Sequence, residues 1–271
     1  MKMKKLFVLF LLFAFISILN IGVSAQDFAL AQLDKSPRHH EWVEVKYGNR
    51  TVHCFVVYPE KPKNTPAVIV IHENRGLTDW VRSLADQVAA EGYIAIAPDL
   101  LSEFSETKKR TSDFVNSDSA RNALSQLKPE QVTNDINAVQ AYVAKLPSCN
   151  GKTAIMGFCW GGGQCFRSAT SNPNISAALV FYGGSPDKAE DIARIKAPVY
   201  GFYAENDQRI NAMIPKTEEL MKASNKKYEY EIYKGAGHAF MRLGDDPAGS
   251  AENKQARKDA WQRIKKILEK M

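Results

Sequence analysis

The chain has 271 residues, 45% hydrophobic and 24% charged, which suits one domain with a sizeable core. Its formal charge of +6 falls to +3 once Lys2, Lys4 and Lys5 are set aside, and no stretch interleaves clustered Lys/Arg with aromatics, so no nucleic-acid partner is expected. Cys54, Cys149, Cys159 and Cys165 form no CxxC or Cys/His pattern, so no zinc site is expected.

Lys2, Lys4 and Lys5 precede an apolar run from Leu6 to Leu19, and Val23-Ser24-Ala25 ends it with small residues. That is the pattern of a signal peptide, with cleavage expected after Ala25. The protein is then exported, periplasmic or secreted, with no stable membrane partner after cleavage. Residues 26–271 are expected to form one domain. In an exported chain the four cysteines could pair, but a nucleophilic cysteine must stay free.

Residues 26–40 show no periodicity and read as a loose leader. Glu41 to Lys46 and Thr51 to Tyr58 read as strands around a Tyr47-Gly48-Asn49-Arg50 turn. Ala67 to Ile71 is continuously apolar, the pattern of a parallel strand buried on both faces. His72-Glu73-Asn74-Arg75-Gly76 follows it. Thr78 to Ala90 is helical, with Thr78 or Asp79 as its cap. Tyr93 to Ala97 is a strand closed by Pro98-Asp99. Leu100 to Lys128 is polar and irregular, which reads as a mobile surface insertion more readily than as a lid over substrate. Pro129 to Lys145 has an apolar stripe at Val132, Ile136, Val139 and Val143. Strands follow at Thr153 to Met156, Ala177 to Phe181, Pro198 to Tyr203 and Tyr228 to Tyr233. A last helix covers Ala251 to Lys270. The alternation predicts an α/β fold: a mostly parallel central sheet with helices on both faces and its chemistry beyond the C-terminal strand ends.

Between strand and helix stands Gly157-Phe158-Cys159-Trp160-Gly161. A G-x-C-x-G turn there is a nucleophile elbow with cysteine in place of serine. Its glycines leave room around a strained residue, and the following helix aims its N-terminus at the thiol. Asp207 follows the strand Pro198 to Tyr203 and His238 the strand Tyr228 to Tyr233, giving the order nucleophile, acid, histidine of α/β-hydrolases. His238 is the candidate base, Asp207 its partner, and Glu205 the local rival to Asp207. The N–H groups of Trp160 and Asn74 are the candidate oxyanion donors.

These residues resemble the dienelactone hydrolase family, whose members are carboxymethylenebutenolidase-like. The resemblance rests on Gly157 to Gly162, Asp207, Gly237-His238-Ala239-Phe240 and His72 to Gly76, and covers most of the chain after residue 25. Ser36 to Trp42 also resembles the start of exported members. The resemblance implies an α/β-hydrolase fold and a Cys159, His238, Asp207 triad. It implies that Glu73 helps switch the thiol to thiolate when substrate binds, that Arg242 binds a substrate carboxylate, and that Tyr182 lines the site. A second carboxylate-binding arginine of the family follows its Pro-Asp-Leu. Here Pro98-Asp99-Leu100 is followed by no arginine before Arg110, a departure that bears on the substrate. The expected activity is opening of an ester or lactone through a cysteine acyl-enzyme, on a small-molecule substrate, without cofactor or metal. The alternatives are a thioesterase or general carboxylesterase on the same triad, or a non-catalytic redox-sensing or binding protein.

Overall fold

Burial on both faces decides the central strands. In Thr65–Ile71 (β3), Val68 and Val70 point into one core while Ile69 and Ile71 point into the other, all without solvent exposure. Each such side chain contributes roughly 1.5–3 kcal/mol of transfer free energy, so a slip of register has no favourable alternative. The structure, a computed structural model, describes residues 27–61 and 63–271. The proposed signal peptide lies outside the described residues.

The other strands are His40–Tyr47 (β1), Arg50–Val57 (β2), Ile94–Pro98 (β4), Cys149–Phe158 (β5), Ala177–Phe181 (β6), Val199–Asn206 (β7) and Tyr228–Gly237 (β8). They form an eight-stranded sheet in the order β1-β2-β4-β3-β5-β6-β7-β8. β1, β2 and β4 pair antiparallel, and every pair from β4 to β8 is parallel. The chain steps from β3 to β4 on one side, then returns to place β5 on the other. That reversal leaves a crevice beyond the carboxyl ends of β3 and β5.

Asp27–Asp34 (α1), Asp79–Ala90 (α2) and Ala251–Leu268 (α10, in the numbering that follows) cover one face through Ala29, Leu84, Val88, Ala260 and Ile264. Ser117–Gln126 (α3), Pro129–Val143 (α4), Trp160–Ser171 (α5), Ala189–Ala193 (α6), Gln208–Asn211 (α7), Ile214–Ala223 (α8) and Phe240–Leu243 (α9) complete the set. Val132, Ile136, Val139 and Val143 of α4 pack on the opposite face with Phe166, Ile192 and Met221, as their spacing predicts.

Two expectations are corrected. The segment before β1 is not a loose leader: α1 buries Ala29 and Leu33 against α2. Arg38 then forms a fork on Asp86 at 2.9 and 2.6 Å, with Ser36 and His40 on the same carboxylate. Burial would raise the Asp86 carboxyl, but these hydrogen bonds and the Arg38 charge hold it below its ordinary range.

Residues 101–128 are not an irregular surface insertion either. Leu101, Ala120, Ala123 and Leu124 form a small core with Phe104, Phe114 and the Trp160 ring against it. Asn116 caps α3 by accepting from Ser119 N–H at 2.9 Å. Asp99 anchors the segment, accepting from Thr111 N–H at 2.6 Å, Thr111 Oγ1 at 2.7 Å and Leu101 N–H at 3.1 Å. A segment only about a third apolar could be ordered in this way because its polar groups bond to each other and to Asp99. α8 was invisible to the strand-helix reading because its charged stretch, Lys216 to Lys222, hides Ile214 and Met221. Thr78 is the N-cap of α2 but makes no side-chain cap bond; Asp79 instead pairs with Arg82.

Candidate active site

Register alone brings the candidate residues together. Ile71 of β3 lies beside Gly157 of β5, so Glu73 and Cys159, each two residues further on, leave the sheet side by side. Asn206 of β7 lies beside Gly237 of β8, and Asp207 and His238 each come one residue later.

Cys159 has φ 55° and ψ −115°, a conformation that L side chains rarely adopt. The sheet holds it there: its N–H donates to Phe181 O at 3.0 Å, and its own carbonyl accepts from Gly162 N–H at 3.0 Å. Below it Phe158, Phe181 and Phe202 stack with centroids 4.6 and 4.2 Å apart. The elbow glycines have the steric role the sequence assigned. A Cβ on Gly161 would lie 2.7 Å from Ile71 O and closer still to His72 O. One on Gly157 would collide with the Gly161 carbonyl.

His238 Nδ1 bonds to Asp207 Oδ2 at 2.5 Å. The neighbouring Cys159 thiol, opposed by burial and joined by the Asp207 bond, raises the imidazole to about 9. Asp207 is 7% exposed, which shields its end of the pair, while the His238 side chain is 32% exposed. Glu205 is engaged elsewhere: it accepts from Gly235 N–H at 2.8 Å and so ties the carboxyl ends of β7 and β8 together. Ala239, at φ 66°, turns the chain immediately after His238 into α9.

α9 carries Arg242, whose Nε donates to Glu73 Oε2 at 2.8 Å. Burial would lower the guanidinium, but the Glu73 charge and bond raise it. The second Glu73 oxygen, Oε1, is buried without a hydrogen-bond partner, as is the Tyr182 hydroxyl. Tyr182 sits at φ 38°, fully buried, edge-on to His238 at 5.0 Å and to Phe240 at 5.4 Å. Burial first, then the Glu73 charge, raises its phenol well above its ordinary value, so it remains a donor. An unpaired buried polar atom costs stability, and two such atoms lie beside the candidate nucleophile.

Trp160 is the first residue of α5, so its N–H has no carbonyl a turn earlier to bond. Asn74 follows Glu73 in the β3 loop, which Leu77 fastens by donating its N–H to Thr111 Oγ1 at 2.9 Å. Arg75 is exposed and lines a cavity of about 460 Å³ between α2 and residues 110–117, with Trp42, Arg82 and Phe114. There the Arg110 guanidinium lies over the Trp42 ring at 5.0 Å. The support of α9 escaped the sequence reading. Asp245, its side chain 8% exposed, accepts from Trp80 Nε1 at 3.2 Å and Gln87 Nε2 at 3.1 Å and pairs with Arg257 at 2.9 Å. Its only signal was an acidic pair, Asp245-Asp246, in an apparent loop. All four cysteines are unbridged, and no group of three metal-ligating side chains occurs among the described residues.

A sequence model of the dienelactone hydrolase family matches residues 52–271. The chain belongs to the dienelactone hydrolase family. A relative from Saccharolobus solfataricus, named "Putative carboxymethylenebutenolidase", is 32% identical over 256 residues, spanning 81% of this chain and 94% of that one. One of the same name from Escherichia coli is 32% identical over 224 residues, covering 76% and 79% of the two chains. A crystal structure of a "Putative Dienelactone Hydrolase" from Klebsiella pneumoniae superposes with a TM-score of 0.76 at 25% identity, covering 86% of this chain and 99% of that one. The fold is that of an α/β-hydrolase, and membership makes the protein a hydrolase of the carboxymethylenebutenolidase type.

Proposed function

We propose that this hydrolase opens an ester or lactone through a thioester on Cys159. The observation that carries the reading is the line from the strained Cys159 to His238 and on to Asp207 at 2.5 Å. The Cys159 thiol passes its proton to His238, and Asp207 stabilises the imidazolium. Sulfur adds to the substrate carbonyl carbon, and the resulting oxyanion accepts from the N–H groups of Trp160 and Asn74. The C–O bond to the leaving alkoxide breaks as His238 returns the proton to it. Water, deprotonated by His238, then adds to the thioester. The acid leaves, and the thiol recovers its proton.

Glu73 and Arg242 make this sequence responsive to substrate. A substrate carboxylate that draws Arg242 from Glu73 leaves a bare buried carboxylate beside Cys159, and that carboxylate helps switch the thiol to thiolate by relaying its proton to His238. Tyr182, a protonated phenol without a partner, donates to the same substrate group. Export with cleavage after Ala25 remains part of the proposal, and the N-terminal mass of protein from the native host tests it.

The test is turnover of a panel of aryl esters, lactones and acyl thioesters before and after alkylation by iodoacetamide. Hydrolysis of esters or lactones that disappears in step with Cys159 alkylation is the expected result. Hydrolysis that survives complete alkylation contradicts the mechanism.

A further inference from the structure

One buried titratable side chain beside the candidate site has no part in the steps above. His72 is the first residue after β3, immediately before Glu73, with no solvent exposure. Both ring nitrogens are engaged: Nδ1 donates to the Glu73 carbonyl at 2.7 Å, and Nε2 accepts from Leu100 N–H at 3.3 Å. This pattern requires the neutral ring with its proton on Nδ1. Burial drives the imidazole toward that neutral form, against the attraction of the nearby Asp99 charge. With neither nitrogen free, His72 cannot act as a second base.

The ring's faces are also used. The Trp160 indole lies parallel to it, 5.5 Å between centroids and 9° between planes. The backbone of residues 71–72 is in turn so close to Gly161 that no side chain fits there. Three separate parts of the chain therefore meet on one imidazole. They are the β3 loop with Glu73 and Asn74, the start of the segment after β4 at Leu100, and the N-terminus of α5 with Cys159 and Trp160. The two candidate oxyanion donors belong to the first and third of these parts.

We propose that His72 is a positioning residue that holds the Asn74 and Trp160 N–H groups at a fixed separation, as judged from its hydrogen bonds to Glu73 and Leu100 and its stacking on Trp160. The inference rests on the thioester mechanism proposed above. The residue type follows from the geometry. Phenylalanine could stack on Trp160 but could bond to neither backbone group. Asparagine could donate to the Glu73 carbonyl but could not stack or reach Leu100 N–H.

The experiment compares the full-length protein with His72→Phe and His72→Asn in three measurements. These are steady-state hydrolysis of an aryl ester, the rate of Cys159 alkylation by iodoacetamide, and the affinity for phenylacetaldehyde. The Cys159 thiol adds across the aldehyde C=O, sulfur to carbon and the thiol proton to oxygen as the π bond opens, and the oxygen of this thiohemiacetal then occupies the oxyanion position. Alkylation needs the thiol but no oxyanion donors. For His72→Phe, kcat is expected to fall at least tenfold, with KM changed less than threefold. Aldehyde affinity should fall with kcat, and the alkylation rate should stay within twofold. His72→Asn should recover part of the loss, and it carries the test if the Phe variant fails to fold. Unchanged kcat and aldehyde affinity in a folded variant would overturn the proposal. So would an alkylation rate that falls in step with kcat, because that places the damage at the thiol. An inactive wild type that still binds aldehyde more tightly than His72→Phe would refute the hydrolytic reading and leave the positioning role standing.

Discussion

Gly161→Ala tests how tightly the elbow is built. The new Cβ would sit 2.7 Å from Ile71 O and 2.8 Å from Ile71 Cγ2, with His72 O nearer still. Ordinary contact begins at 3.4 Å, so the N-terminus of α5 must retreat by about 0.7 Å even for the Ile71 oxygen. Backbone on β3 resists moving, because β4 pairs it as far as Ile69 and β5 as far as Ile71. The retreat carries Trp160 N–H and Cys159 with it. Overpacking of this kind costs about 1–3 kcal/mol, and at this chain length each kcal/mol lowers Tm by roughly 2–4 °C. A displacement near 1 Å at a reacting group costs on the order of a hundredfold in rate. Gly163→Ala is the internal control, since its Cβ would find nothing nearer than 3.7 Å. The assay is aryl-ester kcat at 25 °C together with a circular-dichroism melt. Gly161→Ala should lose both stability and about two orders of magnitude in kcat, while Gly163→Ala should lose neither. A Gly161→Ala enzyme with wild-type kcat and Tm would refute the steric account of the elbow.

Asp207→Asn should lower the His238 imidazole from about 9 and reduce kcat by up to roughly 10⁴-fold; an NMR titration of the ring read beside the kinetics checks both. His238 is raised above its ordinary 6.5, so its stabilising effect is complete below that value and is lost as pH rises through about 9. Wild-type Tm should accordingly fall over that window more steeply than that of His238→Gln, and parallel curves would argue against the raised value. Arg242→Ala should slow hydrolysis of anionic esters more than neutral ones, by about 2–4 kcal/mol in transition-state terms, and equal losses on both would make Arg242 a bystander. Asp86→Ala leaves Arg38 without its carboxylate, at a cost on the order of 2–4 kcal/mol, and should expose residues 27–40 to limited proteolysis; a wild-type cleavage pattern would contradict the anchoring of that segment.

The sheet was readable because its strands are buried on both faces, and a continuous run such as Ala67 to Ile71 admits few other fates. The candidate triad was readable for a related reason: each member follows such a strand, and chain order restricts the choice of base to His238. Longer-range placement was less accessible. Nothing in the sequence says that Asp245 reaches α2 and α10, or that Thr111 reaches Asp99 and Leu77. The order of residues 101–128 depends on those distant polar bonds rather than on periodicity. α1 was missed because its apolar positions, Ala29 and Leu33, are too few to show a stripe before α2 is in place. Arg242 was expected to await a substrate carboxylate. Its bond to Glu73 adds a partner that only the fold brings near, since the two are 169 positions apart in sequence.

The central claim is a covalent thioester on Cys159, and rapid quenching during turnover tests it most directly. Acid quench of the enzyme with an activated aryl ester, followed by peptide mass analysis, should find the acyl mass on the peptide containing Cys159. The adduct should form and decay at rates compatible with kcat, and it should be absent from Cys159→Ala, whose turnover should fall by at least about a thousandfold. Undiminished hydrolysis by Cys159→Ala, or an acyl group found on another residue, would contradict the account.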